Sequence, residues 1–184
     1  MAVQFPSPDP RSDAQLVAAI DRGDRAAFDA LYYRYRDWIV RLAHRFTGIA
    51  DDALDVMQET FTYLLGKFPG LRLSARMTTF LYPVVKNLSI SIARQRKRET
   101  GIDNAPDVPA PSIADPRAGR SELAAAMASL PETHREVMLM RFVDDMSMHE
   151  IAQALAIPEG TVKSRLHHAI AALRTDPWIL RYFK

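Results

Sequence analysis

The chain has 184 residues, of which 48% are hydrophobic and 25% charged, and it contains no cysteine. These values predict one or two small globular domains, and the lack of thiols excludes disulfide bonds and thiolate metal ligands. No apolar run reaches the length of a membrane-spanning helix, and the N-terminus lacks the charged-then-apolar order of a signal peptide, so we expect a cytoplasmic protein without membrane contact. The net charge is only +2, so any binding of nucleic acid must depend on where the basic residues lie.

The first half of the chain predicts a compact helical domain. Residues 1–11 carry three prolines and are interpreted as a disordered tail. Over residues 12–98, apolar side chains recur at spacings of three and four, which is typical of amphipathic helices. A short first helix is expected to end at Gly23, and Asp24 is suited to cap the second.

Two more helices follow in this domain. Asp51 or Asp52 is expected to begin the third helix, and Pro69-Gly70 to end it. The fourth is predicted from about Ser74 to Arg98. Pro83 lies inside it and is expected to kink it, because proline removes a backbone hydrogen bond.

The composition changes over residues 99–120, which contain four prolines, two glycines and four acidic residues. Such a segment buries too little apolar surface to fold alone, so we expect a flexible, acidic, proline-rich linker. A second helical domain is predicted over residues 121–175, with one helix ending at Ser129 and another beginning at Leu130-Pro131. Residues 176–184 form a short apolar tail that we expect to pack back on this domain.

A helix-turn-helix is the most specific feature of the second domain. Ser147 followed three residues later by Glu150 is a capping box, which predicts a helix start. Ala156-Ile157-Pro158 ends that helix, since proline disfavours α geometry in the residue before it. The next helix has an apolar stripe from Val162 to Leu173, and two short helices across a tight turn are typical of a DNA-reading unit. The fold class is therefore all-α, with two small domains.

Three separated segments resemble one family. Residues 52–68, DALDVMQETFTYLLGKF, resemble the helix by which bacterial sigma factors grip core RNA polymerase. Residues 78–98, TTFLYPVVKNLSISIARQRKR, resemble the segment that melts and reads the downstream promoter element. Residues 130–174 resemble the C-terminal domain that binds the upstream element. Their order and spacing are similar to those of the extracytoplasmic-function (ECF) class of sigma factors.

The resemblance implies partners and binding residues. The partners are the clamp coiled coil of the largest polymerase subunit, the flap of the second-largest subunit, promoter DNA and an anti-sigma factor, and the expected signal is stress or an envelope signal. The residues for core polymerase are Asp52, Asp55, Gln58 and Glu59. Those for the downstream element are Arg72, Arg76, Lys86, Asn87, Arg94 and Arg98. Those for the upstream element are Glu159, Thr161, Lys163, Ser164, Arg165 and His168.

These residue types suit their implied roles. Acidic groups beside an amide fit a basic partner helix, although from periodicity alone a solvated helix face is the simpler interpretation. Lysine and arginine neutralise phosphates, and the amide of Asn87 can both donate to and accept from a base. Arg165 can donate two hydrogen bonds to a guanine edge.

The chain departs from the family pattern at four positions. The family commonly has tryptophan at the position of Phe80, arginine near Pro83 and an acidic residue near Ser91. It often has a turn glycine at the position of Ala156. We therefore expect promoter melting to differ in detail from the family norm.

The sequence gives little support for an enzyme and leaves two other binding functions open. His149-Glu150 lacks the second histidine of a zinc-protease pattern because Gln153 occupies its position. With no Gly-rich phosphate loop and no nucleophile–base set, we expect neither catalytic residues nor a metal or cofactor. A helix-turn-helix regulator with a sensory first half stays open, as does a decoy that sequesters polymerase or an anti-sigma factor without supporting transcription.

Overall fold

The structure is a computed structural model that describes residues 9–100 and 118–175. The predictions for the extreme N-terminus, most of the linker and the tail at 176–184 lie outside these residues. Within them all regular secondary structure is α-helical, as the sequence predicts, and no helix there is long and apolar enough to cross a membrane. The helices are α1 (Asp13–Asp21), α2 (Arg25–Thr47), α3 (Ala50–Leu65), α4 (Met77–Thr100), α5 (Ala118–Ser129), α6 (Glu132–Phe142), α7 (Met148–Leu155) and α8 (Glu159–Arg174).

Helices α1 to α4 form the first domain, in which α2 packs on α1, α3 and α4. The side chain of Asp24 accepts a hydrogen bond from the Ala27 amide at 3.2 Å, so its predicted role as the cap of α2 is confirmed. Gly23 adopts a φ of +89°, which a residue without a Cβ takes up at little cost. The fully buried aliphatic side chains of this domain are Leu16, Leu31, Ile39, Leu42, Val56, Leu64, Leu81 and Val85.

The ends of α3 and α4 differ from the prediction. Ile49 is the N-cap of α3 and has no side-chain cap bond, while Asp51 and Asp52 lie in the first turn. The helix ends at Leu65, before Pro69-Gly70. The amides that follow turn back to carbonyls of its last turn, so the chain leaves the helix before the proline.

The fourth helix begins at Met77, three residues later than predicted, and runs to Thr100. Pro83 lies inside it without ending it. The loop before it is anchored by Leu71, which is buried, and such a tertiary contact is not visible in local periodicity.

Helices α5 to α8 form the second domain, with α8 packed on α6 and α7. The buried guanidinium of Arg135 joins the C-terminal end of α5 to α6. It donates to the carbonyls of Met127, Ala128 and Leu130 at 2.8–2.9 Å. A cation at the C-terminal end of a helix satisfies carbonyls that have no partner within the helix.

The helix-turn-helix is confirmed in detail. The Glu150 amide donates to the Ser147 hydroxyl at 3.2 Å, and the Ser147 amide donates to the Glu150 carboxylate at 2.8 Å. Helix α7 ends at Leu155, and its C-cap, Ala156, takes the left-handed conformation with a φ of +52°. Pro158 is the N-cap of α8. The tight turn thus holds the two helices together over a core that includes Ile151 and Val162.

Candidate nucleic-acid and partner interfaces

The four α3 residues assigned to polymerase line one groove. Asp52, Asp55, Gln58 and Glu59 form one wall, and α4 forms the other with residues from Leu88 to Glu99. The side chains of Asp55, Gln58 and Glu59 are exposed. They present two carboxylates and an amide on adjacent turns, which suits a basic partner helix.

Asp52 differs from the other three because it is only 6% exposed. One carboxylate oxygen forms an ion pair with Arg96 of α4, and the other is buried without a hydrogen-bond partner. In this structure the carboxylate therefore joins α3 to α4 at the base of the groove, an arrangement that helical spacing alone did not reveal.

The exposed face of α4 carries three of the six predicted downstream-element residues. Asn87, Arg94 and Arg98 line a shallow groove together with Ser91. Asn87 and Arg94 are seven positions apart and Arg94 and Arg98 are four apart, so the three side chains lie on one face of the helix. A phosphate backbone following this face would meet two guanidinium groups and one amide.

Arg72 lies in the loop between α3 and α4, and its side chain is 81% exposed. Its guanidinium is 3.0 Å from the carboxylate of Asp21, at the end of α1, which also accepts from the Gly70 amide at 3.0 Å. The hydrogen bond from the Gly70 amide is the largest influence on Asp21, and with the weaker effects of Arg72 it lowers the pKa of this carboxylate, although desolvation opposes them. Asp21 was not among the predicted site residues, because a contact between residues so far apart in the chain has no local signal in the sequence.

An aromatic pair lies beside this loop. The rings of Tyr63 and Phe80 have centroids 6.4 Å apart, and the Lys67 ammonium is 4.4 Å from the centroid of Tyr63. Tyr63 is 40% exposed. The family pattern points to Phe80, whereas nothing in the sequence marks Tyr63, whose spacing fits an ordinary helix surface.

The other two downstream-element candidates contact the second domain. The Lys86 ammonium is 2.5 Å from the carboxylate of Glu136 in α6, and the Tyr82 hydroxyl donates to the same oxygen at 3.0 Å. Arg76 donates to the carbonyl of Asp145 at 3.2 Å. In this structure, therefore, Lys86 and Arg76 contact the second domain rather than sharing an open surface with Asn87.

A second buried carboxylate strengthens the contact between the domains. Asp144, just after α6, accepts from the indole of Trp38 at 3.1 Å and from the guanidinium of Arg45 at 2.6 and 2.8 Å. Its side chain is 3% exposed. Burial raises the pKa of Asp144, and the attraction of Arg45 opposes that effect without cancelling it.

All six upstream-element candidates lie on α8. Lys163, Ser164 and His168 are exposed, whereas Glu159, Thr161 and Arg165 are half-buried. The Lys163 ammonium is 3.1 Å from the Glu159 carboxylate one turn earlier. No cluster of three or more histidine or acidic side chains suited to a metal ion occurs in the part of the chain that the structure describes.

Comparisons with known proteins identify both domains. Residues 31–99 match the family model described as "Sigma-70 region 2", and residues 126–175 match "Sigma-70, region 4". The ECF RNA polymerase sigma factor SigM of Mycobacterium tuberculosis is 32% identical over 94% of this chain and 88% of its own length. This chain belongs to the ECF RNA polymerase sigma factors. It is thus a transcription initiation factor that directs RNA polymerase to promoters.

Other relatives agree with this assignment. The RNA polymerase sigma-H factor of Pseudomonas aeruginosa is 31% identical over 88% of this ECF sigma factor and 91% of its own length. Among solved structures, CnrH in complex with the cytosolic domain of CnrY has a TM-score of 0.66 at 21% identity, covering 89% of this chain and 96% of CnrH. RpoE from Bartonella quintana, in complex with the anti-sigma factor NepR, has a TM-score of 0.62 at 20% identity, covering 84% of this chain and 96% of RpoE. These two structures show the same fold.

Proposed function

We propose that Asp55, Gln58 and Glu59 bind the clamp coiled coil of core RNA polymerase. The exposure of these three side chains on one wall of the α3–α4 groove carries this proposal. Asp52 contributes from beneath, because its ion pair with Arg96 holds the two walls together. The flap of the second-largest subunit is the partner proposed for the second domain.

The surfaces proposed to bind promoter DNA are the exposed faces of α4 and α8. Asn87, Arg94 and Arg98 hold the unpaired strand of the downstream element, and Arg72 lies at the loop that receives an extruded base. Bases leave the stack only where a protein offers replacement contacts. On α8, Arg165 reads a base edge in the major groove, while Lys163 serves a phosphate or a base.

Regulation is proposed to involve an anti-sigma factor. The structure of RpoE from Bartonella quintana contains the anti-sigma factor NepR, and that of CnrH contains the cytosolic domain of CnrY; a bound partner chain in both supports a protein partner of this type for this sigma factor. A stress or envelope signal would release the anti-sigma factor, and the free sigma factor in the cytoplasm would then bind core polymerase and start transcription.

Binding to core polymerase tests the surface that carries this proposal. The variant Asp55→Ala/Glu59→Ala removes both exposed carboxylates of the groove, and Asp29→Ala/Asp37→Ala removes two exposed carboxylates of α2 as a matched control. We expect the first variant to bind purified core polymerase at least tenfold more weakly than the control in a fluorescence anisotropy titration. Equal affinities would contradict the assignment of the groove.

The same titration, combined with a DNA-binding assay and run-off transcription, separates the alternatives. Retained DNA binding without any binding of the unmodified chain to core polymerase would favour a helix-turn-helix regulator. Tight binding to core without transcripts would favour a decoy. The family assignment favours neither alternative.

A further inference from the structure

Three histidines of the second domain lie together on its surface. The ring of His134 in α6 is stacked on that of His168 in α8, with centroids 6.0 Å apart and an interplanar angle of 25°. The ring of His167 meets that of His168 edge-on, with centroids 5.7 Å apart. His167 and His168 are exposed, and His134 is half-buried. Together they form a histidine cluster that joins α6 to α8 where solvent reaches both helices.

The histidine cluster continues the face of α8 that carries the predicted DNA contacts. The Nδ1 atom of His168 lies 3.5 Å from the hydroxyl of Ser164, one helical turn earlier. His167 lies one turn after Lys163, so their exposed side chains share a face of the helix. The cluster thus extends the surface of α8 toward its C-terminal end, and His134 adds a contribution from α6.

No carboxylate in the described part of the chain forms an ion pair with the histidine cluster. The acidic residue of α8 is Glu159, whose carboxylate is 3.1 Å from the Lys163 ammonium and 3.9 Å from Nδ1 of His149 in α7. The acidic residue of α7 is Glu150, which accepts a hydrogen bond from the Ser147 amide at 2.8 Å. The carboxylates of both helices are therefore engaged with other partners.

The charged groups of α6 do not neutralise the cluster either. The carboxylate of Glu136 is paired with the first domain, and the guanidinium of Arg135 donates to carbonyls at the end of α5. Arg141 donates to the carbonyl of Met146. Glu132 lies in the first turn and is exposed. The basic residues of α8 besides Lys163 are Arg165 and Arg174, so the surroundings of the cluster on that helix are positive.

This arrangement suits a phosphate. Histidine is the side chain whose charge changes most readily between pH 5 and pH 8. Two protonated rings at the distances found here repel each other, and an anion placed between them turns that repulsion into attraction. A protonated imidazole donates hydrogen bonds from both ring nitrogens, and phosphate oxygens accept such charge-assisted bonds. The backbone of a duplex lying on α8 offers the anion that the cluster lacks.

We propose that His134, His167 and His168 bind a phosphate of the DNA backbone and take up protons as they do so. This proposal rests on the proposed binding of DNA by α8, and it adds His134 and His167 to the residues that contact the upstream element. Because the complex holds more protons than the separate chain and DNA, affinity increases as the pH falls from 8 to 6. Arg165 supplies selectivity for sequence, whereas the histidine cluster makes the strength of binding depend on pH.

Titration of the full chain with a short duplex of mixed sequence measures this dependence, because backbone contacts need no known promoter. At constant ionic strength, we expect the unmodified chain to bind roughly fivefold or more tightly at pH 6 than at pH 8. The variant His134→Gln/His167→Gln/His168→Gln should lose most of this increase. The matched control is His44→Gln, which removes a half-buried histidine of α2 in the first domain and should keep the increase.

A permanently charged variant guards against a folding defect. His167→Arg/His168→Arg keeps two cations at every pH, so we expect it to bind at pH 8 about as tightly as the unmodified chain binds at pH 6. His134→Gln alone leaves α8 unchanged and should reduce the increase in part. An increase in the triple glutamine variant equal to that of the unmodified chain would overturn the proposal.

Proton uptake can also be counted directly. Isothermal titration calorimetry at pH 7, in two buffers of different ionisation enthalpy, gives the number of protons bound per complex, which a loss of packing alone would not change. We expect about half a proton or more for the unmodified chain and close to none for the triple glutamine variant. Equal uptake by both would contradict protonation of the cluster. Absence of DNA binding by every variant at both pH values would instead refute the binding of DNA by α8, the proposed function on which this inference depends.

Discussion

Asp52 and Asp55 are one helical turn apart on α3, yet their environments differ. Asp52 is buried against Arg96 of α4, and Asp55 is exposed on the groove wall. A carboxylate that is buried and paired contributes to folding, whereas an exposed one is available to a partner. Substitution of Asp52 should therefore mainly lower stability, and substitution of Asp55 should mainly weaken binding to polymerase.

Asp52→Ala is expected to lower the free energy of unfolding by about 1–2 kcal/mol, because it removes a charged hydrogen bond while solvent still reaches part of Arg96. Asp55→Ala is expected to change it by less than about 0.5 kcal/mol. Urea unfolding followed by circular dichroism measures both. A larger stability loss in Asp55→Ala than in Asp52→Ala would contradict this division.

The buried carboxylate of Asp144 predicts a pH dependence. Its pKa is raised above 3.8 in the folded state, chiefly by burial, so the folded state binds the proton more tightly than the unfolded state. Its contribution to stability is present below the unfolded pKa and is lost as the pH rises through the folded pKa.

The variant Asp144→Asn has no titratable group at this position. The free energy of unfolding of the unmodified chain, measured relative to Asp144→Asn, should therefore decrease from about pH 4 to pH 7. Thermal or urea unfolding at several pH values gives that difference. A difference that increases over this range would show that the ion pair with Arg45 outweighs burial.

At the scale of the helix, local signals predicted those elements whose ends are set locally. The capping box at Ser147 and the cap at Asp24 are formed by residues three apart, and the structure confirms both. The end of α3 and the start of α4 differ by a few residues from the prediction, because the loop between these helices is held by distant groups. Asp21 accepts a hydrogen bond from the Gly70 amide, and Leu71 is buried. Neither contact can be predicted from the periodicity of apolar residues in the sequence.

The turn of the helix-turn-helix contains a strained residue. Ala156 has a φ of +52°, which costs an L-residue with a Cβ roughly 1–2 kcal/mol and glycine very little. Glycine also stabilises the unfolded state by roughly 0.4–1 kcal/mol, because it gives the unfolded chain more conformational freedom. Ala156→Gly should therefore raise the free energy of unfolding by about 0.5–1 kcal/mol.

The matched control is Ala125→Gly, at an exposed position inside α5, which should lower the free energy of unfolding by about 0.5–1 kcal/mol. Urea denaturation of both variants checks the opposite signs. Destabilisation by both would show that the backbone at Ala156 is not strained.

Two basic residues of α8 should differ in what they contribute to DNA binding. Arg165→Ala is expected to cost about 1–3 kcal/mol of binding to the cognate upstream element, and less on unrelated DNA. Lys163→Ala is expected to weaken binding to all sequences similarly and to reduce the salt dependence by about one phosphate contact. Titrations at several salt concentrations measure both quantities. Unchanged binding of both variants to the cognate element would refute these roles.

At the scale of the whole molecule, the helix-turn-helix, the exposed acidic wall and the exposed basic face of α4 followed from sequence patterns and the family resemblance. The contact between the domains did not. Trp38 and Asp144 are 106 positions apart, and Lys86 and Glu136 are 50 apart. Each of these residues taken alone resembles an ordinary surface charge or core aromatic, so their pairing needs the folded structure.

The measurement that tests the central claim most directly is run-off transcription on a pool of genomic promoter fragments, using bacterial core RNA polymerase with and without this chain. We predict transcripts that depend on the chain and share a two-part sequence upstream of their start. Transcripts that are identical with and without the chain, under conditions where it binds core polymerase, would contradict a promoter-directing role.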